Sequence, residues 1–343
     1  MQNFLSKAPE ERRLVFEQTE ARIGLPARSI EKDFWVCWTL RQLFELPEFG
    51  DHLTFKGGTS LSKAWKLIER FSEDIDLVFG KDFLGFGGER DPEAASSNNK
   101  RKEGIAALKE ECSRRIRETF MPMLRGRLEA ALPANEKWDL HMDVTDAERQ
   151  TVLFDYPTCW PGGTGRYLAP TVKIEMGARS DDWPAQEVEI ISYAAETFPE
   201  MIPDQLCRVR VLAAERTFWE KATLLHEETC RPVDKPRKRP MARHYYDLWC
   251  LICAGTGAKA MEDEALFQRV VEHRQKFFPW TWVDYATMRR GSLRIVPLES
   301  QVGEWRKDYE QMRSEMFFGP TPSFDEILEV VGAFQREFNK GPA

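Results

Sequence analysis

The chain has 343 residues, 42% hydrophobic and 31% charged, a balance that suits a folded protein with a sizeable core and excludes disorder as the dominant state. Lys and Arg total 49 against 56 for Asp and Glu, a net charge of -7, which excludes a general nucleic-acid coat protein and requires any contact with nucleic acid to be local. No run of about 18 apolar residues occurs and the opening MQNFLSKAPEERR has no apolar stretch of the kind a secretion signal needs, so a cytoplasmic protein without membrane contact is expected.

Residues 8–50 predict two helices, with Leu14, Phe16, Ile23, Phe34, Trp38, Leu40 and Phe44 forming an apolar stripe near the helical period. Pro47 and Gly50 end that unit. Leu53, Thr54 and Phe55 read as a short strand, Gly57 and Gly58 as a turn, and SLSKAWKLIERF as a helix carrying Leu61, Ala64, Trp65 and Ile68 on one face. Alternation follows, with Ile75, Leu77 and Phe79 on one side of a strand and Asp74, Asp76 and Val78 on the other. Residues 80–104, rich in Gly, Ser, Asn and charge, read as a mobile loop, and a long basic helix follows. Strands are expected at 138–144, 150–155, 171–177 and 187–193, with a turn at Pro161, Gly162 and Gly163. From Pro199 the pattern is mostly helical, with Leu206, Val209 and Val211 among the apolar positions and a Pro/Lys/Arg loop at 231–242. The seven cysteines are scattered and odd in number, poor material for a disulfide framework. Cys250 and Cys253 lie in WCLIC, which reads as buried helix rather than a zinc site. The predicted class is α+β: a helical segment at 1–50, a mixed core at 51–198 and a helical domain at 199–343.

The chemistry concentrates around Lys56-Gly57-Gly58-Thr59-Ser60 and Asp74-Ile75-Asp76. A helix amino terminus presents unpaired N–H groups, and glycine permits close approach, so the turn can seat a triphosphate although it lacks the P-loop pattern. Asp74 and Asp76 project from one strand face with alpha carbons about 6 to 7 Å apart. Two converging carboxylates repel unless a cation sits between them, and Mg²⁺ takes one or two such ligands and fills the rest with water and phosphate. A third acid would complete a two-metal site. Glu175, on a strand face with Lys173 and Gly177, is the candidate, and Asp143 is its substitute.

The stretch FKGGTSLSKAWKLIERFSEDIDLVF resembles the signature of the AbiEii/AbiGii-type nucleotidyltransferase toxins, a branch of the DNA polymerase beta-like superfamily. Glu31-Lys32-Asp33, Phe218-Trp219-Glu220-Lys221 and Arg243-His244-Tyr245-Tyr246-Asp247-Leu248 fit the same resemblance, which spans residues 31–248. It implies a minimal nucleotidyltransferase fold followed by a helical lobe. It further implies that Gly57, Gly58, Thr59 and Ser60 hold NTP, with the phosphate-facing hydroxyl open between Thr59 and Ser60, and that Asp74 and Asp76 bind Mg²⁺. Lys221 would contact phosphate and Asp247 would belong to the active site. Read from its neighbours alone, Lys221 needs an anionic partner, which a phosphate, Glu220 or Asp247 could supply, or must snorkel to water. His244 reads as a packing or capping residue.

Basic segments suggest where an acceptor would lie. Residues 231–243 carry six Lys and Arg against one Asp, with Arg237, Lys238 and Arg239 at the centre, and Lys100, Arg101, Lys102, Arg114, Arg115, Arg117, Arg125 and Arg127 add charge. The expected activity is NMP transfer from an NTP to a hydroxyl; by the resemblance the acceptor is the tRNA 3′ end, in a toxin–antitoxin or phage-defence system with a cognate antitoxin. The alternatives are a protein or small-molecule acceptor, or a silent RNA- or partner-binding module.

Overall fold

The computed structural model describes residues 2–70, 72, 74–160, 169–203, 206–237, 240–317 and 321–341. The chain divides into two compact units, residues 1–64 with 71–212, and residues 65–70 with 213–343.

The first unit opens with helices α1 (Gln2–Leu5), α2 (Pro9–Ile23) and α3 (Ala27–Phe44). Its centre is a seven-stranded mixed sheet of β1 (Leu53–Lys56), β2 (Ile75–Phe79), β3 (Asp139–Met142), β4 (Thr151–Asp155), β5 (Thr171–Gly177), β6 (Ala185–Ile190) and β7 (Cys207–Leu212). The order is β3-β4-β5-β2-β1-β7-β6, with β2 parallel to β5 and β1 parallel to β7 and the other pairs antiparallel. One face is apolar: Phe55, Ile75, Leu77, Phe79, Val152, Phe154, Val172 and Ile174 are buried. Helix α3 covers part of it, Trp35 and Trp38 packing on Phe154 with ring centroids 6.0 and 5.8 Å away. Strand β5 shows the consequence of that one-sided burial, alternating half-buried and buried residues along its whole length. The opposite face carries polar groups, among them the half-buried Lys56, Asp76, Lys173 and Glu175.

Helix α4 (Gly57–Lys63) follows β1 directly. It is shorter than its apolar periodicity predicts. The chain leaves the first unit after Ala64, Lys66 adopts a left-handed φ of +53°, and Ile68 is buried in the second unit, so the apolar residues after Ala64 serve a different core. The segment read as a loop at 80–104 contains two short 3₁₀ turns, Gly88–Arg90 and Pro92–Ala94, and Lys81 pairs with Asp91 and Glu93 in its middle. Helix α5 (Asn98–Arg115) begins inside that segment and continues through a π-turn into α6 (Met121–Ala131). The turn expected at Pro161, Gly162 and Gly163 lies outside the described residues. A short helix, α7 (Tyr193–Thr197), precedes β7. Strand β7 corrects the helical reading past Pro199: Cys207, Val209 and Val211 are buried and alternate with Arg208 and Arg210, a period of two.

The second unit is helical: α8 (Ala214–Thr229), α9 (Arg243–Cys253), α10 (Thr256–Glu262), α11 (Glu264–Phe277), α12 (Glu299–Met316) and α13 (Phe324–Lys340). Phe218 and Trp219 of α8 pack against Phe334 and Phe338 of α13 and Phe267 of α11. The cysteines are free thiols; Cys250 is buried as expected, whereas Cys253 is exposed near the end of α9. No described helix is long and apolar enough to cross a membrane.

Candidate active site

The polar sheet face gathers the predicted acids by register. Asp76 lies opposite Glu175 in the parallel pair of β2 and β5, and opposite Lys56 in the antiparallel pair of β1 and β2. Glu175 in turn faces Thr151 of β4. Cross-strand partners share a face, so the two acids are neighbours although 99 residues (175 − 76) separate them in sequence. Asp74 stands two residues before Asp76, at the edge of β2.

The glycine turn sits directly against this face. Gly57 has φ +81°, and a Cβ on it would fall 2.0 Å from Asp76 Oδ2. Only a residue without a side chain lets the α4 amino terminus approach the carboxylate so closely. The hydroxyls of the turn are engaged inward: Thr59 Oγ1 donates to the Asp74 carbonyl at 2.6 Å, and Ser60 Oγ donates to the Gly57 carbonyl at 2.9 Å. Both residues are fully buried. Neither hydroxyl is displayed outward in this state, and the two of them brace the turn and the start of β2.

Lys173, which spacing marks only as sharing a strand face with Glu175 and Gly177, is a functional neighbour that the sequence does not signal. Its ammonium pairs with Glu175. Burial alone would lower the lysine's pKa, but Glu175, then Asp74 and Asp143, raise it above the usual value. Asp74, Asp143 and Glu175 therefore converge electrostatically on one cation. Asp143 also accepts from the Thr145 N–H and hydroxyl at 2.8 and 2.6 Å, which lowers its pKa. Among the described residues, no group of three or more His, Cys, Asp or Glu side chains is arranged as a metal cluster.

Helix α4 is anchored at its other end. Lys63 Nζ meets Asp33 Oδ1 of α3 at 2.6 Å, both side chains 6% exposed, and lies 3.7 Å from the Tyr193 ring centroid. Asp33 Oδ2 accepts the Tyr193 N–H at 2.8 Å. Burial opposes the lysine's charge, yet Asp33 and the groups around it hold its pKa above the ordinary value. Of the Glu31-Lys32-Asp33 stretch, Glu31 accepts from the Cys159 N–H and the Thr158 hydroxyl, and Lys32 Nζ donates to the Ala169 carbonyl. The stretch holds the scaffold around the site.

Lys221 and Asp247 belong to the second unit, where they form a buried cluster with Arg70. Arg70 Nε and Nη2 donate to the two oxygens of Asp247 at 2.7 and 2.9 Å, and Lys221 Nζ lies 2.8 Å from Oδ2. Burial would raise the Asp247 pKa, but Arg70 and then Lys221 hold it well below the carboxylate range. Lys221 is pushed the other way: burial lowers its pKa, and Arg70 offsets part of the attraction to Asp247. One carboxylate thus serves two cations, leaving the trio with a net positive charge. His244, near this cluster, has its pKa lowered by burial and by Lys221 and Arg243.

Most of the basic positions are compensated. Arg114 pairs with Glu111 and Glu118, Arg115 with Glu111, Arg117 with Glu118, Arg125 with Asp139 and Arg127 with Glu45. Arg237 stacks 3.4 Å from the Trp305 centroid and pairs with Glu304, with 7% of its side chain exposed. Lys238 and Arg239 lie outside the described residues.

Carboxylates in register on a mixed sheet, pressed against a glycine turn, have the chemistry to hold a cation beside a phosphate. Consistent with it, a sequence model described as the nucleotidyl transferase AbiEii toxin of a type IV toxin–antitoxin system matches residues 38–330. The chain belongs to this family and is a nucleotidyltransferase. Among solved structures it is similar to MenT4, a nucleotidyltransferase toxin of Mycobacterium tuberculosis H37Rv, at 16% identity and a TM-score of 0.46 over 96% of this chain and 97% of that one. It is also similar to JHP933 of Helicobacter pylori at 15% identity and a TM-score of 0.40, over 90% of each chain. No curated protein matches the chain.

Proposed function

We propose that this toxin transfers NMP from an NTP to the 3′-hydroxyl of tRNA in a Mg²⁺-dependent reaction, blocking translation in the cytoplasm until a cognate antitoxin restrains it. The observation that carries the reading is the close approach of Gly57 to Asp76, with Glu175 in register beside it. It supports the reading because glycine backbone suits phosphate and carboxylates suit a divalent cation.

The donor set fits Mg²⁺. Asp74 and Asp76 offer hard carboxylate oxygens, and two are enough for an ion that keeps water and phosphate as its other ligands. When bound, the ion would supply charge neutralisation on the triphosphate and acidify the attacking hydroxyl. Glu175 is the third acid of this reading, its pairing with Lys173 exchanged for the metal; Asp143 is turned toward its own Thr145 and is the weaker choice.

The chain's own residues then have separable tasks. The N–H groups of Gly57 and Gly58 orient the triphosphate, while Thr59 and Ser60 keep the turn rigid through their inward hydrogen bonds. By the resemblance, Lys221 would contact phosphate, and Asp247 would orient it through their 2.8 Å pairing. Lys238 and Arg239 contribute to acceptor binding, with less reliance on Arg237, which is packed under Trp305.

The test is incubation of the protein with Mg²⁺, each α-labelled NTP, and separate pools of tRNA and protein. Label enters tRNA with the native protein and not with Asp76→Asn. Label confined to the protein pool would replace the acceptor, and label undiminished by Asp76→Asn would remove the site.

A further inference from the structure

The basic loop at the end of α8 does not stand alone. Trp280 and Trp282, from the segment after α11, stack on each other with centroids 4.4 Å apart and planes 25° from parallel. Arg231 lies 5.6 and 5.0 Å from their centroids, and Lys235 lies 4.8 Å from Trp282. All four residues belong to the second unit.

Two features separate this cluster from ordinary packing. Trp280 keeps 42% of its surface exposed even though a stacked neighbour covers part of it, and the adjoining Val233 is 93% exposed. The cations are also of two kinds. Arg231 is fixed by Glu228, whose oxygens accept from Nε at 2.8 Å and Nη2 at 2.5 Å, and its charge is largely offset. Lys235 is exposed and has no carboxylate partner among the described residues. The result is a preformed indole ledge, held in place by a paired arginine, with an uncompensated ammonium at its side.

Such a ledge fits an unpaired nucleobase followed by its phosphate. An indole face accepts any base by stacking, and a neighbouring lysine takes the backbone charge. A protein partner would call for a broader apolar area or for hydrogen-bonding edges, and a duplex keeps its bases inside. We propose that Trp280, backed by Trp282 and flanked by Lys235, is a stacking platform for single-stranded RNA. The inference rests on the proposed RNA acceptor and adds to it the form of RNA recognised, unpaired nucleotides.

The test measures binding of a short fluorescein-labelled single-stranded RNA, and of the same sequence as a duplex, to the full-length protein by anisotropy, alongside NMP transfer to tRNA. Trp280→Ala is expected to weaken single-strand binding and raise the KM for tRNA about five-fold or more, with the KM for NTP unchanged and Trp280→Phe close to the native protein. Lys235→Ala should lower the salt dependence of binding by about one phosphate contact. Because Trp280 is exposed, the variant keeps the fold, which a thermal melt verifies. Single-strand affinity unchanged in Trp280→Ala, or duplex bound as tightly as single strand, would overturn the platform. Native protein that labels only the protein pool would overturn the tRNA acceptor instead, and the binding arm still decides the platform.

Discussion

At Gly57 a methyl group has nowhere to go, because it would overlap the Asp76 carboxylate and the backbone is already left-handed. Gly57→Ala should therefore cost about 1 to 3 kcal/mol of stability through strain while reducing kcat far more than that loss explains, since the shift falls on Asp76. Denaturant unfolding and steady-state kinetics on the same preparation separate the two effects. At Asp247 one buried carboxylate satisfies Arg70 and Lys221. Asp247→Asn removes the buried charge that pairs with both cations and should destabilise the second unit by about 3 to 5 kcal/mol at neutral pH. The sign with pH follows from a pKa lower in the folded state than in the unfolded one. The stabilisation is complete above the ordinary carboxylate range, about pH 4, and fades as pH falls further toward the folded value. Unfolding curves of native and variant protein should thus converge in acid and stay separated above it. Lys221 titrates below an ordinary lysine, so if its charge serves catalysis, kcat/KM should decline on an alkaline limb that Lys221→Arg abolishes.

Helix α4 shows how an element seven residues long is made rigid. Its start is braced by Thr59 and Ser60, and its end by Lys63 on Asp33 and Tyr193. Asp33→Asn should lower stability by about 3 to 5 kcal/mol because it strands a buried ammonium. Asp33→Asn combined with Lys63→Met should recover part of the loss, giving a coupling energy in a double-mutant cycle. The same element marks the limit of the sequence reading. The order of strand, glycine turn, helix and acid-bearing strand was legible from Leu53 to Phe79, because period and turn chemistry are local signals. The early end of α4 was not, because Trp65 and Ile68 keep helical spacing while belonging to another core. Strand β7 was misread for a different reason. Its alternation of Cys207, Val209 and Val211 is a clear period of two, but it stands beside long helical patterns that outweighed it.

Among the described residues, many of the charges are taken up in local pairs. Arg114 and Arg115 of α5 and Arg125 and Arg127 of α6 pair with Glu111, Glu118, Asp139 and Glu45, which composition could not reveal because pairing depends on the fold. The partnership of Asp76 with Glu175 was likewise a guess from strand faces until the parallel register of β2 and β5 aligned them. Lys173 among the acids was the least visible feature, since one lysine on a half-polar strand has many ordinary explanations. The proposed reaction requires the acids and the glycine turn to act together on a metal-bound nucleotide. The most direct measurement is calorimetric titration of the protein with a non-hydrolysable NTP analogue, with and without Mg²⁺, for the native chain and for Asp76→Asn. The account predicts Mg²⁺-dependent nucleotide binding by the native protein and its loss in the variant. Equal binding by both proteins, or native binding indifferent to Mg²⁺, would contradict it.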